Sequence, residues 1–438
     1  MTLSAQNRTT PTGTMGTTNA EELSSAVRRR SGMVGMGVAI AIAIVLLAIG
    51  IGGGYFLGVY VTKTSSSVTQ ITETGSTLLY PLMQIWGPNY TKFNSAVSLS
   101  TAPSGSGAGQ TAALKGTFNI GASDAYLVNA TKNGVLNVPV AISSQLVYYN
   151  LPGITQHLNL NGTLLAYIYG GKITSWNDTL IRDAQSPAVD SNLGNLTTAE
   201  QKITLIYRYD SSGDTFLFST LCNMSWGKFP FTNSTSAFSG IATKLSNTQS
   251  ETGNSEMVSG VEAIEGGIAY IGISYKHTVS GANVNYAALG DNTTLANGNY
   301  SVAKDDFILP TNTTISNDAN LGLTHLSYKT FGLADSMILG GFRNSPVNNT
   351  PGGGGTDPTV GETGTNGAYP IVNLEYSLIR SAPYGSTVSA GALKDTVEFL
   401  QWAISLGNDP QYLSQVGFVP LTTEVLGYDQ QEFASVSV

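Results

Sequence analysis

The chain has 438 residues, a formal net charge of -8 and only 11% charged residues. This length allows two ordinary domains, each with its own core, beside a terminal segment. The sparse, acidic charge excludes the basic face that a nucleic-acid-binding protein needs. The single cysteine, Cys222, excludes an intramolecular disulfide.

An uncharged run of 30 residues begins at Met33, directly after three arginines at 28–30. A run of this length spans a bilayer as a helix, and the positive-inside rule places the arginines in the cytoplasm. A cleavable secretory peptide is the alternative for this segment. Eleven Asn-x-Ser/Thr sequons follow, which is compatible with an extracellular glycoprotein. The predicted segments are a cytoplasmic tail (1–32), a transmembrane anchor (33–62) and a tether (63–67).

From Val68 onward, short apolar runs alternate with helical patterns. The strand-like "TQITETG" precedes "STLLYPLMQIWG", and "KITLIYRYD" precedes "DTFLFSTLCNMSW". This alternation predicts an α/β architecture with mainly parallel sheets. A Gly-rich stretch at 351–367 predicts a surface loop.

Three of the predicted helices start directly after a strand, with hydroxyl side chains and glycines at the start. Such helix starts present unpaired backbone N–H groups and the positive end of the helix dipole, which together suit an anion. Each one alone is equally compatible with simple helix capping. The residues at these starts are Ser76 and Thr77 after Gly75, Ser104 and Ser106 among glycines, and Ser212 with Gly213.

Nucleotide binding and catalysis find no support in the motifs. "GSGAGQT" has Gln110 where a phosphate-binding loop of the Walker type has lysine, and its glycines do not fit G-x-G-x-x-G. The three histidines stand apart from one another, without metal or triad spacing. We therefore predict no catalytic residue, no metal site and no cofactor.

The motifs, in their order, resemble the extracytoplasmic phosphate-binding proteins of ABC-type phosphate uptake. The resemblance covers about residues 68–426, nearly the whole outer part of the chain. The segments that carry it are "GSTLLYP", "GSGAG", "GASDAYL", "IYGGKITSWND", "RYDSSGDTF", "GVEAIEGGIAYIGISY", "YPIVNLEYSLI" and "GFVPL".

This resemblance implies a bilobed periplasmic-binding-protein-like fold of type II, with two α/β domains joined by two hinge strands. Lobe I would contain 68–146 plus 368–438, and lobe II would contain 147–367. Phosphate would bind in the cleft between the lobes, where helix starts converge at the carboxyl ends of strands. A membrane-anchored form would fit a cell with a single membrane, such as an archaeon.

Matched position by position, the resemblance implies a set of phosphate-binding residues. Asp124 would accept the proton of phosphate, Arg208 would be the single cation, and Asp210 would orient that arginine. The remaining matched donors are Thr77, Ser106, the backbone of Leu78, Ser212 and Gly213. Ser76 and Ser104 are further candidates.

Asp214 is where this chain departs from the family pattern, because many members read S-G-T and this chain reads S-G-D. In one interpretation Asp214 complements the dipole of the first helical turn without touching ligand, and Thr215 supplies the missing hydroxyl. In the other, Asp214 is a second acceptor that favours the doubly protonated phosphate monoanion. Both interpretations are compatible with the sequence.

The predicted function is a receptor that captures inorganic phosphate outside the cytoplasm and delivers it to an ABC permease in the membrane. One alternative is the same fold with another oxyanion as ligand, such as sulfate, molybdate or tungstate. The other is a surface glycoprotein or adhesion module that has lost ligand binding.

Overall fold

The computed structural model describes residues 68–290, 307–323, 338–340 and 369–438. The predicted tail, anchor and tether and the predicted loop at 351–367 lie outside these ranges. No helix within them is both long enough and apolar enough to cross a membrane.

The first described elements are parallel strands that alternate with helices. β1 pairs in parallel with both β2 and β3. Pro81 lies in the first turn of α1. Backbone N–H groups in this turn have no acceptor within the helix, so proline costs no hydrogen bond there. These elements are β1 (Thr69–Gly75), α1 (Tyr80–Phe93), β2 (Val97–Pro103), α2 (Ser106–Lys115) and β3 (Ile120–Ser123).

The next strand, β4 (Val135–Asn150), is the longest described strand, with 16 residues, and all of them are buried. Two layers of neighbouring structure therefore cover both of its faces, which explains why its sequence reads as an almost continuous apolar run.

The chain then builds a second α/β region. β6 pairs in parallel with both β7 and β8, and β10 pairs with β5 in a separate two-stranded sheet. The elements are β5 (Asn159–Asn161), α3 (Gly162–Tyr169), α4 (Thr179–Arg182), α5 (Pro187–Gly194), β6 (Thr204–Arg208), α6 (Gly213–Ser225), α7 (Ile241–Lys244), β7 (Thr248–Glu251), α8 (Gly253–Ala263), β8 (Gly267–Gly272), β9 (Val284–Tyr286) and β10 (Ala288–Gly290).

The C-terminal part returns to the first region. β12 pairs with β3 and along most of β4, and α10 packs near β1. The elements are α9 (Asn312–Leu323), β11 (Ile338–Gly340), β12 (Ile371–Arg380), α10 (Ala390–Ala403), α11 (Pro410–Leu413) and α12 (Thr423–Ala434).

A mixed sheet connects the two regions in a bilobed α/β fold, in the strand order β2-β1-β3-β12-β4-β8-β6-β7. We call the strands β2, β1, β3 and β12 the first half-sheet, and β8, β6 and β7 the second half-sheet. β4 belongs to both, because it pairs with β12 up to Ser144 and with β8 from Gln145 onward.

The prediction of mainly parallel sheets is correct only for the outer strands of each half. At the centre, β4 is antiparallel to both of its neighbours, β12 and β8. The physical reason is that a strand returning from the second region to the first runs against the strand that left it. The local alternation of strand and helix patterns does not predict the direction of a strand that returns from a distant part of the chain.

Candidate functional site

Four helix starts lie at the carboxyl ends of strands where the two half-sheets meet. Three are the predicted ones, after β1, before α2 and before α6. The fourth is Gly253 and Asn254, which follow β7 and open α8. The carboxyl ends of strands in open α/β sheets are the usual place for a ligand, and several helix starts there suit an anion.

Glycine is required at two of these turns. Gly75 has a φ of 137°, and a Cβ on it would lie 2.0 Å from the carbonyl oxygen of Ala122. A Cβ on Gly213 would lie 2.4 Å from Oδ2 of Asp124. Any side chain at either position would collide with these atoms, so both glycines allow the close approach that the site needs.

Arg208 is the last residue of β6 and is only 2% exposed. Its Nε donates to Oδ1 of Asp210 at 2.6 Å, and its Nη2 donates to the other oxygen of Asp210. Its Nη1 donates to Oγ1 of Thr77 and to Oδ2 of Asp214, both at 3.2 Å. We call these four side chains the arginine cluster.

Asp210 therefore occupies one edge of the guanidinium in a bidentate pair and turns the other edge toward Thr77 and Asp214. Burial disfavours the charged guanidinium, but the hydrogen bond that Arg208 donates to Asp210 and the charges of Asp214 and Asp210 outweigh this effect and raise the pKa of Arg208. The arginine is thus a permanent buried cation.

Asp124 follows β3 and is 1% exposed. The hydroxyl of Ser76 donates to its Oδ1, and the hydroxyl of Ser106 donates to its Oδ2 at 3.1 Å. The backbone N–H of Asp124 donates in turn to Oγ of Ser106 at 3.2 Å. We call Asp124, Ser76 and Ser106 the aspartate cluster, in which two predicted helix starts supply donors to one carboxylate.

Asp214 lies in the first turn of α6 and is fully buried. Its carboxyl accepts from Nη1 of Arg208, from Nδ2 of Asn254 at 2.7 Å and from Nε2 of Gln145 at 3.0 Å. Burial, and then the charge of Asp124, raise the pKa of Asp214 to about 7, although Arg208, Asn254 and Gln145 act in the opposite direction. This carboxyl thus joins the arginine cluster and is poised to titrate near neutral pH.

The other predicted residues occupy different positions. Ser212 caps α6 by accepting the N–H of Thr215. The hydroxyl of Thr215 shares a hydrogen bond of 2.8 Å with the hydroxyl of Tyr270. Ser104 is exposed and bonds the hydroxyl of Thr74 at 2.7 Å. Thr215 and Ser104 are therefore each paired outside the two clusters.

Direct hydrogen bonds hold the two half-sheets together at this place. The carbonyl of Leu78 accepts from Oγ of Ser274 at 2.8 Å, and the N–H of Gly107 donates to the carbonyl of Ser211 at 3.0 Å. Asn254 Nδ2 donates to Oγ1 of Thr77 at 2.9 Å. Residues that follow strands of the first half-sheet therefore bond directly to residues that follow strands of the second.

Three buried residues of the site were missing from the sequence prediction: Gln145, Asn254 and Glu375. Asn254 had a signal in the sequence, because "ETGN" repeats the strand, glycine and polar helix start of the other three sites. Gln145 and Glu375 had none, because each lies within a long strand. In the four described ranges, no group of three or more His, Cys, Asp or Glu side chains could hold a metal ion.

A bilobed α/β fold with a buried polar centre between its half-sheets defines a two-lobed binding protein. The chain belongs to the PBP superfamily, since residues 61–405 match the profile described as "PBP superfamily domain".

Similar proteins are named as phosphate-binding proteins. A protein from Methanocaldococcus jannaschii named "Phosphate-binding protein PstS" is 26% identical over 81% of this chain and 83% of its own length. A protein of the same name from Xylella fastidiosa is 29% identical over 56% of this chain and 67% of its own length.

Two solved structures share the fold. One is a high-affinity periplasmic phosphate-binding protein (PfluDING) bound with phosphate, with a TM-score of 0.59 and 18% identity over 84% of this chain and 93% of that one. The other is a phosphate-binding protein from Stenotrophomonas maltophilia, with a TM-score of 0.53 and 17% identity over 84% of this chain and 93% of that one.

Proposed function

We propose that this protein captures inorganic phosphate between its lobes and delivers it to an ABC-type phosphate permease in the membrane. The observation that carries the proposal is that a buried cation, Arg208, and a buried acceptor, Asp124, both lie at converging helix starts. The names of the similar proteins support the same function. The protein then acts as a binding receptor and not as an enzyme.

Phosphate near neutral pH still carries a proton, and sulfate carries none. Asp124 would accept that proton, whereas sulfate would leave it facing a like charge with no donor. Buried groups that are mispaired in this way discriminate between ligands by about 10⁴-fold or more. The neutral donors Thr77, Ser106, Ser212, Gly213 and the N–H of Leu78 would spread the remaining charge, with Ser76 beside them.

The lobe boundaries follow from the same proposal. Lobe I would contain 68–146 with 368–438, and lobe II would contain 147–367. The change of partner along β4, from β12 at Ser144 to β8 at Gln145, supports a hinge at this point. Opening at the hinge would break the direct bonds between the half-sheets and admit the anion.

We further propose that residues 33–62 anchor the protein in the cell membrane, with the binding domain outside. The length of the uncharged run and the arginines before it support this topology. An anchored receptor stays near its permease without a second enclosing membrane. The sequons are compatible with Asn-linked glycans on the outer domain.

Equilibrium binding by titration calorimetry tests the function, with phosphate, sulfate, molybdate and tungstate measured in parallel on residues 68–438. We expect micromolar or tighter phosphate binding, about 8 kcal/mol or more, and no measurable sulfate binding. Stronger binding of another oxyanion would reassign the ligand. Absence of any anion binding would contradict the proposal and favour the adhesion module.

Asp214→Thr is expected to flatten the pH dependence of phosphate binding. Below about pH 7 the protonated Asp214 can donate to phosphate, and above it the ionised carboxylate repels the anion. The affinity of the unsubstituted protein therefore falls as pH rises through about 7, and threonine has no such transition. The ratio of the two Kd values, measured from about pH 4 to about pH 8, cancels the ionisation of phosphate itself. A constant ratio would mean that the protonation of Asp214 does not affect phosphate binding.

A further inference from the structure

Glu375 is a fully buried carboxyl in the middle of β12, and neither the helix starts nor the motifs predict a role for it. Its Oε1 accepts from Oγ of Ser143 at 2.5 Å. Its Oε2 has no hydrogen-bond donor among the described residues, and no ion pair found there includes it. β12 pairs with β3 as far as Tyr376 and Ser123, so that Glu375 and Asp124 come next along the two chains. The carboxyl of Asp124 is the side chain that interacts with Glu375 there.

Two ionised carboxylates cannot bond each other, because each can only accept. A proton shared between Glu375 and Asp124 gives Oε2 a hydrogen-bond partner. It also allows the two carboxyls to contact each other without repulsion. The question is then which of the two residues carries this proton.

The donors around the two residues favour Glu375 as the protonated partner. Asp124 receives hydroxyl donors on both oxygens, from Ser76 and Ser106, so both of its oxygens already act as acceptors. Glu375 receives one donor, from Ser143. Burial above all, and then the charge of Asp124, raise the pKa of Glu375 well above its ordinary value.

The other charged groups of the site agree with this assignment. The charge of Asp214, on α6, further raises the pKa of Glu375. Arg208, the buried cation on β6, is already engaged by Asp210 and Asp214. No described cation is therefore left to compensate an ionised Glu375.

The backbone of β12 places Glu375 where it can act on Asp124. Asn373, two residues earlier, donates from Nδ2 to the carbonyl of Asp124 at 2.6 Å. The register between β12 and β4 shifts between Glu375 and Tyr376. Such irregularities re-aim side chains beside functional sites. β12 thus holds Asp124 at its main chain and at its carboxyl.

We propose that Glu375 is a positioning residue of the phosphate site: a neutral carboxylic acid that donates its proton to Asp124 and keeps Asp124 an ionised acceptor. In this state Glu375 fixes the direction of the Asp124 carboxylate and adds no second negative charge beside the ligand. The consequence for binding rests on the proposed phosphate function, whereas the location of the proton does not.

Infrared difference spectra of the phosphate-free protein at neutral pH test the location of the proton. Unsubstituted protein minus Glu375→Gln should show the carbonyl stretch of a protonated carboxylic acid, which glutamine lacks. A difference in carboxylate bands alone would mean that Glu375 is ionised and would overturn the proposal. This result is independent of whether the protein binds phosphate.

Calorimetry of two variants then tests the positioning role. Glu375→Gln should keep phosphate affinity within about threefold, because its amide donates to Asp124 and accepts from Ser143. Glu375→Met removes the donor to Asp124 and should weaken binding by about thirtyfold. Equal losses in both variants, or no loss in either, would overturn the proposal.

Asp429→Asn is the matched control, because Asp429 is another fully buried carboxyl, on α12, outside both clusters. It should leave phosphate affinity and its pH profile unchanged. Thermal unfolding of all three variants separates a folding defect from a binding defect. Affinity that is kept in Glu375→Gln and lost in Glu375→Met identifies the positioning role. If the unsubstituted protein binds no phosphate, the proposed function fails, and the infrared result still decides the state of Glu375.

Discussion

Arg208→Ala is expected to weaken phosphate binding by about three orders of magnitude, or about 4 kcal/mol. The substitution removes the buried cation of the arginine cluster and leaves the carboxyls of Asp210 and Asp214 without their cationic partner beside the ligand. Phosphate then loses a cationic donor and is repelled by the two acidic side chains. Titration calorimetry at neutral pH measures the loss.

Two further variants sharpen this test. Arg208→Lys keeps the charge but should recover only part of the affinity, because a single ammonium cannot bond Asp210 on one edge and Thr77 on the other. Arg182→Ala is the control, since Arg182 pairs with Asp190 in a partly exposed bridge. Full affinity in Arg208→Ala with intact folding would show that the ligand binds elsewhere.

Asp124→Asn is expected to reverse much of the preference for phosphate over sulfate. The hydroxyls of Ser76 and Ser106 bond different oxygens of Asp124, so the amide keeps an acceptor for only one of them and turns the other position into a donor. Phosphate then loses the acceptor for its proton, and sulfate gains a partner in place of a like charge. The ratio of the two affinities should fall by about a thousandfold.

Competition between phosphate and sulfate on the same preparation measures this ratio directly. Asp409→Asn is a suitable control, because Asp409 caps α11 by accepting the N–H of Gln411, and asparagine caps equally well. A ratio that stays unchanged in Asp124→Asn would remove Asp124 from the recognition of the ligand's proton.

The helix starts show why much of the site could be predicted. A strand, a glycine and a polar helix start are local features, and a short segment of consecutive residues is enough to predict them. Arg208 and Asp210 also lie only two residues apart, so their pairing needs no long-range information. The bilobed α/β class followed from the motif order and agrees with the structure.

The fourth helix start shows how such a local signal can be overlooked. Asn254 stands in the same kind of turn as Ser212, but its strand, β7, is short and polar. Periodicity therefore predicts no strand there. The pairing of β7 with β6 stabilises it and brings Asn254 to Asp214.

The partners of the buried acids could not be predicted, because they come from distant parts of the chain. Gln145 and Asp214 are 69 residues apart, Asn254 and Thr77 are 177 apart, and Asn373 and Asp124 are 249 apart. A sequence pattern of helices and strands says which face a residue occupies, but it does not say which distant face lies opposite.

By itself the sequence determined the candidate anion donors, because backbone geometry at a strand end depends on near neighbours. It also determined the single cation of the site, because Asp210 pairs with Arg208 locally. Only the tertiary structure decided the surroundings of the buried acids. The pKa of Asp214 and of Glu375 depends on burial and on the charge of Asp124. The antiparallel return of β12 and the contacts between the half-sheets bring these three acids together.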